Sequence, residues 1–398
     1  MNNGISLIRR CRKCLLDTFR IFQAKPYIFG NVCEDRTSNI SNKTLAIIKI
    51  DEIGDYVLFR NFLKEIRFSN KFRDFNITLI GNNAWKEIAE YFDAKFVDKF
   101  IWLDKNKFIK SKQYRNEKLK LIKDMEFEYV LNPVSSRNFL SDDLIIRNST
   151  AGEKIGYLSD SSNSPALLNK FSNKFYTTLI KLPEHINFEF YRNKYFFEVV
   201  IGQKILIDKP SFDLKKTSNL KDVTKQYILI FPGASRKYKR WPVDKFIELI
   251  KYILKNYNYN IVISGGKAEM EISNQIFNNI GDNRLINQAG RTSLVDLIYL
   301  IYSSDLVISN DTAGAHISSV LGINTIILCD GSRFGRFSPY PNNLFPNVYS
   351  IFPSYIKDIK INYEQFVKKF KYRSYLKVEN IQIQNFNMLI NSLLKNKN

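Results

Sequence analysis

Histidine is almost missing from this chain: two residues in 398, His185 and His316. Cysteine (four), methionine (four) and tryptophan (three) are nearly as scarce. A histidine-built metal centre is all but excluded by that count. So few cysteines in so long a chain point to a reducing compartment, not a disulfide scaffold. Cys11-x-x-Cys14 with Cys33 offers three thiols, but structural zinc needs four ligands. His185, His316 and Cys329 are all remote in sequence, so reduced thiols are the favoured reading and no metal is expected. No run approaches the roughly 18 apolar residues of a membrane span. The N-terminus lacks an apolar core followed by a small-residue cleavage site, which argues against secretion. Acid is short as well: 39 Asp+Glu stand against 60 Lys+Arg, a net charge of +21.

What the chain does have is core-forming material. At 44% hydrophobic and 14% aromatic residues it can bury sizeable interiors, and its length suits two domains or three. A strongly basic chain is drawn to polyanions. Yet the basic residues are spread along the sequence amid abundant Asn and Ile, and much of the excess reads as compositional. Zinc-finger spacing, aromatic RNA-binding motifs and a basic zipper are absent, so no nucleic-acid partner is expected. Two basic concentrations remain. Residues 1–25 carry Arg9, Arg10, Arg12, Lys13, Arg20 and Lys25 against Asp17 alone, interleaved with Ile5, Leu7, Ile8, Leu15, Leu16, Phe19, Ile21 and Phe22. This pattern suits either an amphipathic helix on an anionic membrane surface or a helix packed on the body of the protein. The second is Lys105, Lys107, Lys110, Lys112, Arg115, Lys118, Lys120 and Lys123, a solvated face or a contact for an anionic acceptor.

From residue 40 onward the pattern is strand, turn, helix, repeated. Thr44–Ile50, Ile77–Ile80 and Phe127–Leu131 have strand composition, with helical spacing over Tyr56–Arg67 and from about Ala84 to Phe92. Residues 158–226 are less regular, with a helix around Ile186–Val200. A second alternation then runs through strands Tyr227–Phe231, Asn260–Ser264, Asp305–Ser309 and Thr325–Cys329. Its helices are Val243–Lys255, Lys267–Asn278, Ser293–Tyr302 and Thr312–Leu321, and Val378–Leu394 reads as a C-terminal helix. Such alternation predicts an α/β fold of two parallel-sheet domains with right-handed crossovers. The divisions are an N-terminal extension (1–40), a first domain (41–205), a linker (206–226), a second domain (227–375) and the final helix (376–398). Two domains with a hinge form a cleft, and ligands bind there at the C-terminal strand ends.

Four turns at such strand ends carry chemistry. Gly54-Asp55 follows the first strand: glycine allows close approach, and Asp55 is either an N-cap or a carboxylate at the cleft edge. The run from Phe231 to Pro242 follows the next domain's first strand. Its small residues precede Ser235, Arg236, Lys237, Lys239 and Arg240, donors suited to phosphate oxygens. Ser264-Gly265-Gly266-Lys267-Ala268-Glu269 again places glycines against a ligand, with an acid able to accept from ribose hydroxyls. Asn310-Asp311-Thr312-Ala313-Gly314-Ala315-His316 opens a helix with small residues, Asp311 reading as its N-cap. The free amides of such a first turn favour anions.

In this order and spacing the four turns resemble glycosyltransferase family 9, the heptosyltransferases of lipopolysaccharide core assembly. The matching segments are IIKIDEIGDYVLFRNFLKEIR, IFPGASRKYKRWPVDKF, ISGGKAE and DLVISNDTAGAHISSVLGINTIIL, covering residues 44–67 and 227–340. The sequence departs from the family pattern at Asp311-Thr312-Ala313-Gly314, where many members read Asp-Thr-Gly. It also departs in the segment from Gly331 to Pro341 and in its N-terminal extension.

The resemblance implies a GT-B fold, with two Rossmann-like domains facing across a cleft, acceptor on the first and nucleotide sugar on the second, and a last helix that crosses back to the first. It implies inverting, metal-independent transfer with no cofactor. Heptose from ADP-heptose would go to a phosphorylated glycolipid acceptor, the lipopolysaccharide or lipooligosaccharide inner core. The enzyme would be cytoplasmic and peripheral at the inner face of the bacterial inner membrane. Asp55 then resembles the catalytic base and Lys239 the lysine facing the departing diphosphate. Ser235, Arg236, Glu269, Asp311, Thr312, Gly314 and His316 match donor-binding positions, with Gly54, Arg333 and Arg336 as candidates for sugar or acceptor. Alternatives are a family member using another nucleotide sugar or a protein acceptor, and a non-catalytic GT-B sugar-nucleotide-binding protein.

Overall fold

The computed structural model describes residues 2–29, 40–214, 226–374 and 376–395, with the backbone alone for residues 2–14, 29, 385 and 395. The thiols of Cys11, Cys14 and Cys33 lie outside what it describes.

The strands are β1 (Thr44–Lys49), β2 (Asn76–Asn82), β3 (Lys99–Leu103), β4 (Glu126–Asn132), β5 (Thr150–Tyr157), β6 (Thr178–Ile180), β7 (Tyr227–Phe231), β8 (Asn260–Ile263), β9 (Leu285–Asn287), β10 (Leu306–Asn310), β11 (Thr325–Leu328) and β12 (Val348–Ile351). The α-helices are α1 (Asn2–Phe29), α2 (Ile53–Val57), α3 (Asn61–Arg67), α4 (Lys86–Phe92), α5 (Lys105–Lys110), α6 (Lys112–Lys123), α7 (Leu144–Asn148), α8 (Ala166–Ser172), α9 (Glu189–Ile201), α10 (Val243–Asn256), α11 (Met270–Asn278), α12 (Leu294–Tyr302), α13 (Ala313–Leu321), α14 (Ile359–Phe370) and α15 (Asn387–Lys395).

They build two six-stranded parallel sheets of the same topology, ordered β3-β2-β1-β4-β5-β6 and β12-β11-β10-β7-β8-β9. β1 pairs with β4 through Leu45 opposite Tyr129, and β7 with β10 through Ile228 opposite Leu306. In each sheet the strand order reverses beside the first strand, between β1 and β4 and between β7 and β10. Ligands bind in the crevice that opens there. β1 and β7 are apolar runs because parallel strands are covered on both faces; Leu45, Ile47 and Ile48, and Ile228 to Ile230, are buried.

Several elements differ from the expectations. The helix expected over Tyr56–Arg67 is two, α2 and α3, joined by a tight turn in which the amides of Phe59 and Arg60 both donate to the Tyr56 carbonyl. Strands β3, β5, β6, β9 and β12 lie where no strand was expected. β5 (Thr-Ala-Gly-Glu-Lys-Ile-Gly-Tyr) holds few β-branched residues and is set by pairing with β4, and β6 and β9 have three residues each. Residues 205–214 lie against the first sheet's layer: Ile205 is buried, the side chain of Asn61 brackets Ser211, and Phe212 lies under the Arg60 guanidinium and edge-on to Phe92.

The C-terminal segment is not one helix. It runs through two short 3-10 turns, Val378–Asn380 and Ile383–Asn385, before α15. Nor does α15 cross back to the first sheet. Phe386, Ile390 and Leu394 are buried with Trp241, Ile250 and Ile253, and Asn391 accepts from Tyr252. The apolar face of α10, with Phe246, Leu249 and Ile250, is the surface that this terminal stretch covers.

Candidate active site

The two switch points face each other. The first is built on the turn after β1. Lys49 ends that strand fully buried, and its Nζ lies 2.9 Å from Asp51 Oδ2. The turn is pinned from behind: Trp85 Nε1 and Asn82 Nδ2 donate to the Asp51 carbonyl at 3.0 and 3.1 Å. Trp85 stacks on Tyr56 with centroids 3.9 Å apart, and Tyr56 donates to Asp93 at 2.7 Å. Arg60 holds the same carboxylate. Helix α2 is thereby fixed, and Asp55 sits in its first turn without serving as N-cap; Glu52 occupies that position.

Two neighbouring carboxylates are driven apart here. Burial raises Asp51, but Lys49 and Lys105 overcome it and hold the group at about 2. Asp55 is pushed up to about 6 by burial and by the charges of Asp51 and Glu189, against the pull of Lys49 and Arg336. Splitting a carboxylate pair in this way is how sites prepare one permanent anion and one proton carrier. Lys105, expected only as part of a basic cluster, belongs to this site: its Nζ lies 2.9 Å from Glu52. Asp142, in the π-helical turn after β4, is raised to about 7 by burial and by Asp51.

The second switch point joins the turns after β7, β8 and β10. Lys239 Nζ lies 2.8 Å from Asp311 Oδ2, and His316 Nε2 is 3.9 Å from Asp311 Oδ1. Burial lifts Asp311, yet Lys239 and His316 hold it below the usual carboxylate range. Burial lowers His316, so the imidazole is neutral near pH 7, its Nδ1 bonded to the Tyr340 hydroxyl. Asn310 ties the turns together: its side chain donates to the carbonyls of Pro232 (2.8 Å) and Gly233 (3.2 Å) and accepts from Trp241 N (3.0 Å).

Asp311 is not the N-cap of α13. That position is Thr312, whose hydroxyl lies 3.1 Å from Ser309 Oγ and makes no capping bond to the helix, while Asp311 is committed to Lys239. The first-turn amides of α13 therefore carry no side-chain cap. Gly314 lets α13 lie on β7, since a β-carbon there would come 2.9 Å from the Phe231 ring. Glu269 leans over Gly233, and a β-carbon on Gly233 would come 2.0 Å from its Cγ; its carboxylate accepts from Gly266 N at 2.8 Å. Ser235, Arg236 and Lys237 are exposed at the mouth, and Arg240 instead bonds the Ala234 carbonyl of its own turn at 2.8 Å.

Between the halves, Arg336 is buried and bridges them. Its Nε lies 2.6 Å from Glu189 at the start of α9, another guanidinium nitrogen bonds Ser136, and its carbonyl accepts from Glu189 N at 3.0 Å. Arg333 donates to Asn163 at 3.2 Å. Both arginines expected near sugar or acceptor thus bind the first half of the chain, close enough to Asp55 for their charges to interact with it.

The family model for glycosyltransferase family 9 (heptosyltransferase) matches residues 125–354. The chain belongs to this family. A lipooligosaccharide heptosyltransferase 2 of Campylobacter jejuni is 24% identical over 196 residues, 44% of this chain and 60% of that protein. The chain thus matches a little over half the length of that relative. A family 9 glycosyltransferase structure from Veillonella parvula superposes with TM-score 0.66 at 17% identity, over 90% of this chain and 99% of that one. The E. coli ADP-heptose lps heptosyltransferase II does so with TM-score 0.60 at 14% identity, over 89% and 99%. At those identities the likeness shows the fold, and the fold of this family 9 chain is GT-B.

Lys49, Asp51, Lys105, Glu189 and Asn310 were missed as site residues. One signal was available: a lysine closing an otherwise apolar parallel strand, as Lys49 does, is costly unless paired.

Proposed function

We propose that this chain is an inverting, metal-independent glycosyltransferase that moves heptose from ADP-heptose to the inner core of lipopolysaccharide or lipooligosaccharide. The observation that carries the reading is a carboxyl raised to about 6, Asp55, on a helix that touches the turn holding Lys239, Asp311 and His316.

Asp55 takes the proton of the acceptor hydroxyl while that oxygen bonds to the anomeric carbon. A pKa near 6 suits a general base at neutral pH better than an ordinary aspartate. The bond from the anomeric carbon to the diphosphate oxygen breaks on the opposite face, which inverts the configuration. The departing diphosphate gains negative charge and meets the Lys239 ammonium and the uncapped amides of α13. A preorganised positive field there lowers the barrier without a metal ion. Asp311 aims Lys239, Thr312, Gly314 and His316 line the same turn, Glu269 stands at the ribose, and Ser235 and Arg236 close over the phosphates from the mouth.

The acceptor is a phosphorylated glycolipid, met at the inner face of the bacterial inner membrane. Among the described residues no helix is long and apolar enough to cross a membrane, and none is needed for that encounter.

The test is a donor panel with purified protein and a deacylated core acceptor, reading product mass, anomeric configuration and activity in chelator. Transfer from ADP-heptose with inversion, undiminished by chelator, is expected. Transfer only from a UDP-hexose overturns the donor, and loss of activity in chelator overturns metal independence.

A further inference from the structure

Helix α1 lies outside both sheets, and its described half is two-faced. One face is docked: Ala24 is buried among Phe139, Leu140, Leu144 and Leu168, with Ile21, Tyr27 and Ile28 beside it. Arg115 of α6 donates to the Tyr27 hydroxyl at 2.7 Å and lies over its ring. The opposite face is bare. Leu15 (70% exposed), Phe19 (57%) and Phe22 (67%) fall at i, i+4 and i+7, a single apolar stripe, with Leu16 (45%) beside it. Such a stripe is worth explaining only because it is contiguous.

We infer that the bare face of α1 is a docking surface for an anionic lipid bilayer. Charge selects the occupant. Asp17 is the sole acid among residues 2–29, and it is turned to Arg20 at 3.8 Å. Lys25 is exposed beside the stripe, and the same helix carries Arg9, Arg10, Arg12 and Lys13 in sequence. Lys107, Lys110 and Lys112 are exposed on α5 and α6, the pair to which Arg115 ties α1. A second copy of a chain with net charge +21 would be repelled where anionic headgroups are attracted. An apolar stripe flanked by cations is how a helix lies in a membrane interface.

The position suits the acceptor. The docked face of α1 rests on Phe139 and Leu140, in the same turn that carries Asp142 beside Asp51. A bilayer under α1 therefore lies near the first switch point, where a lipid-borne acceptor enters. This extends the membrane-side reading above, and the test below uses neither donor nor acceptor, so the two fail separately.

The full chain is sedimented with vesicles of three parts phosphatidylethanolamine to one part phosphatidylglycerol, and with phosphatidylcholine alone. Binding to the anionic vesicles, at least about tenfold stronger than to phosphatidylcholine, is expected. The triple variant Leu15→Ser, Phe19→Ser, Phe22→Ser should lose at least about tenfold in vesicle affinity with its melting temperature kept. As a second probe, Phe22→Trp should give a blue shift on addition of anionic vesicles. Wild-type protein that ignores both vesicles overturns the proposal. So does a triple variant that binds as wild type, one that melts markedly earlier because the face is covered by the chain itself, or a wild-type dimer that the variant dissociates.

Discussion

Gly54 and His316 meet across the cleft: a β-carbon added at Gly54 would lie 2.4 Å from His316 Cδ2. One residue belongs to α2, beside Asp55, and the other to the first turn of α13, beside Asp311. The glycine is the point at which α2, which carries Asp55, and α13 touch, and hydrogen is the only side chain that leaves them in contact. Gly54→Ala should force α2 and α13 apart by a fraction of an ångström to an ångström. Misplacement on that scale costs up to about 100-fold in rate. The expected outcome is a loss of about 10- to 100-fold in kcat/KM with little change in melting temperature, read by transfer kinetics and thermal unfolding.

Asp55 gives two predictions of opposite sign. Transfer should need its carboxylate, so kcat/KM should rise with pH and level off above an apparent pKa near 6, and Asp55→Asn should lose about 100- to 10,000-fold. Stability should run the other way. The native pKa lies above the unfolded value of about 4, so the folded chain binds this proton more tightly. Its contribution is complete below about pH 4 and is lost as pH rises through about 6. Asp55→Asn should therefore raise the melting temperature at pH 8 relative to wild type while leaving it nearly unchanged at pH 4. Asp51, held at about 2, has the opposite sign, stabilising above about pH 4 and losing that effect on acidification.

The sheets were legible where the chain is buried on both faces. β1, β7, β10 and β11 are apolar runs of strand length, and a parallel central strand has no other way to be written. β5 was not, because pairing with β4, not its own composition, makes it a strand, and β6 is only three residues long. The same division holds at the site. Asp55, Asp311 and His316 stand near glycines in turns that follow strands, and Lys239 in a basic run after β7. Glu189 does not, and Arg336, a candidate from its motif, gives no sign of its partner, since the two are 147 residues apart and pair only when the two sheets face each other. Asp311 was misread for a local reason: an acid before a run of small residues is a good N-cap in isolation, but a lysine 72 residues earlier takes its carboxylate.

That Lys239–Asp311 pair separates a structural from a catalytic loss. Removing the ammonium leaves Asp311 poorly solvated, at a stability cost of about 1–3 kcal/mol, and removes the cation proposed above to face the leaving group. Lys239→Ala should lower both the melting temperature and kcat, the latter by about 100- to 1,000-fold. Adding Asp311→Asn should restore most of the melting temperature and none of the activity. Recovery of turnover in the double variant would assign Lys239 a structural role only.

Arg336 and Glu189 form a buried ion pair 2.6 Å long that joins the two halves, and its removal tests whether the closed cleft depends on it. Losing one partner strands the other: Arg336→Ala or Glu189→Ala should each cost about 3–5 kcal/mol. If the pair acts as a clasp, the effects will not add. The double variant Arg336→Met, Glu189→Leu should be no less stable than either single one, because replacing both charges by apolar groups removes the desolvation cost along with the attraction. Activity will not follow stability. With the clasp gone, the halves are held by the Gly54–His316 contact, by Glu87 accepting from the Leu294 amide at 2.7 Å, by the Tyr91–Tyr299 hydroxyl pair at 3.3 Å and by Arg333 on Asn163, so the time spent aligned falls. Nucleotide affinity should stay near wild type, since the Lys239 turn is intact, while kcat falls and the radius of gyration in solution scattering grows. A double variant that regains stability, scatters like wild type and turns over normally would show that cleft closure rests on the α2–α13 and α4–α12 contacts instead.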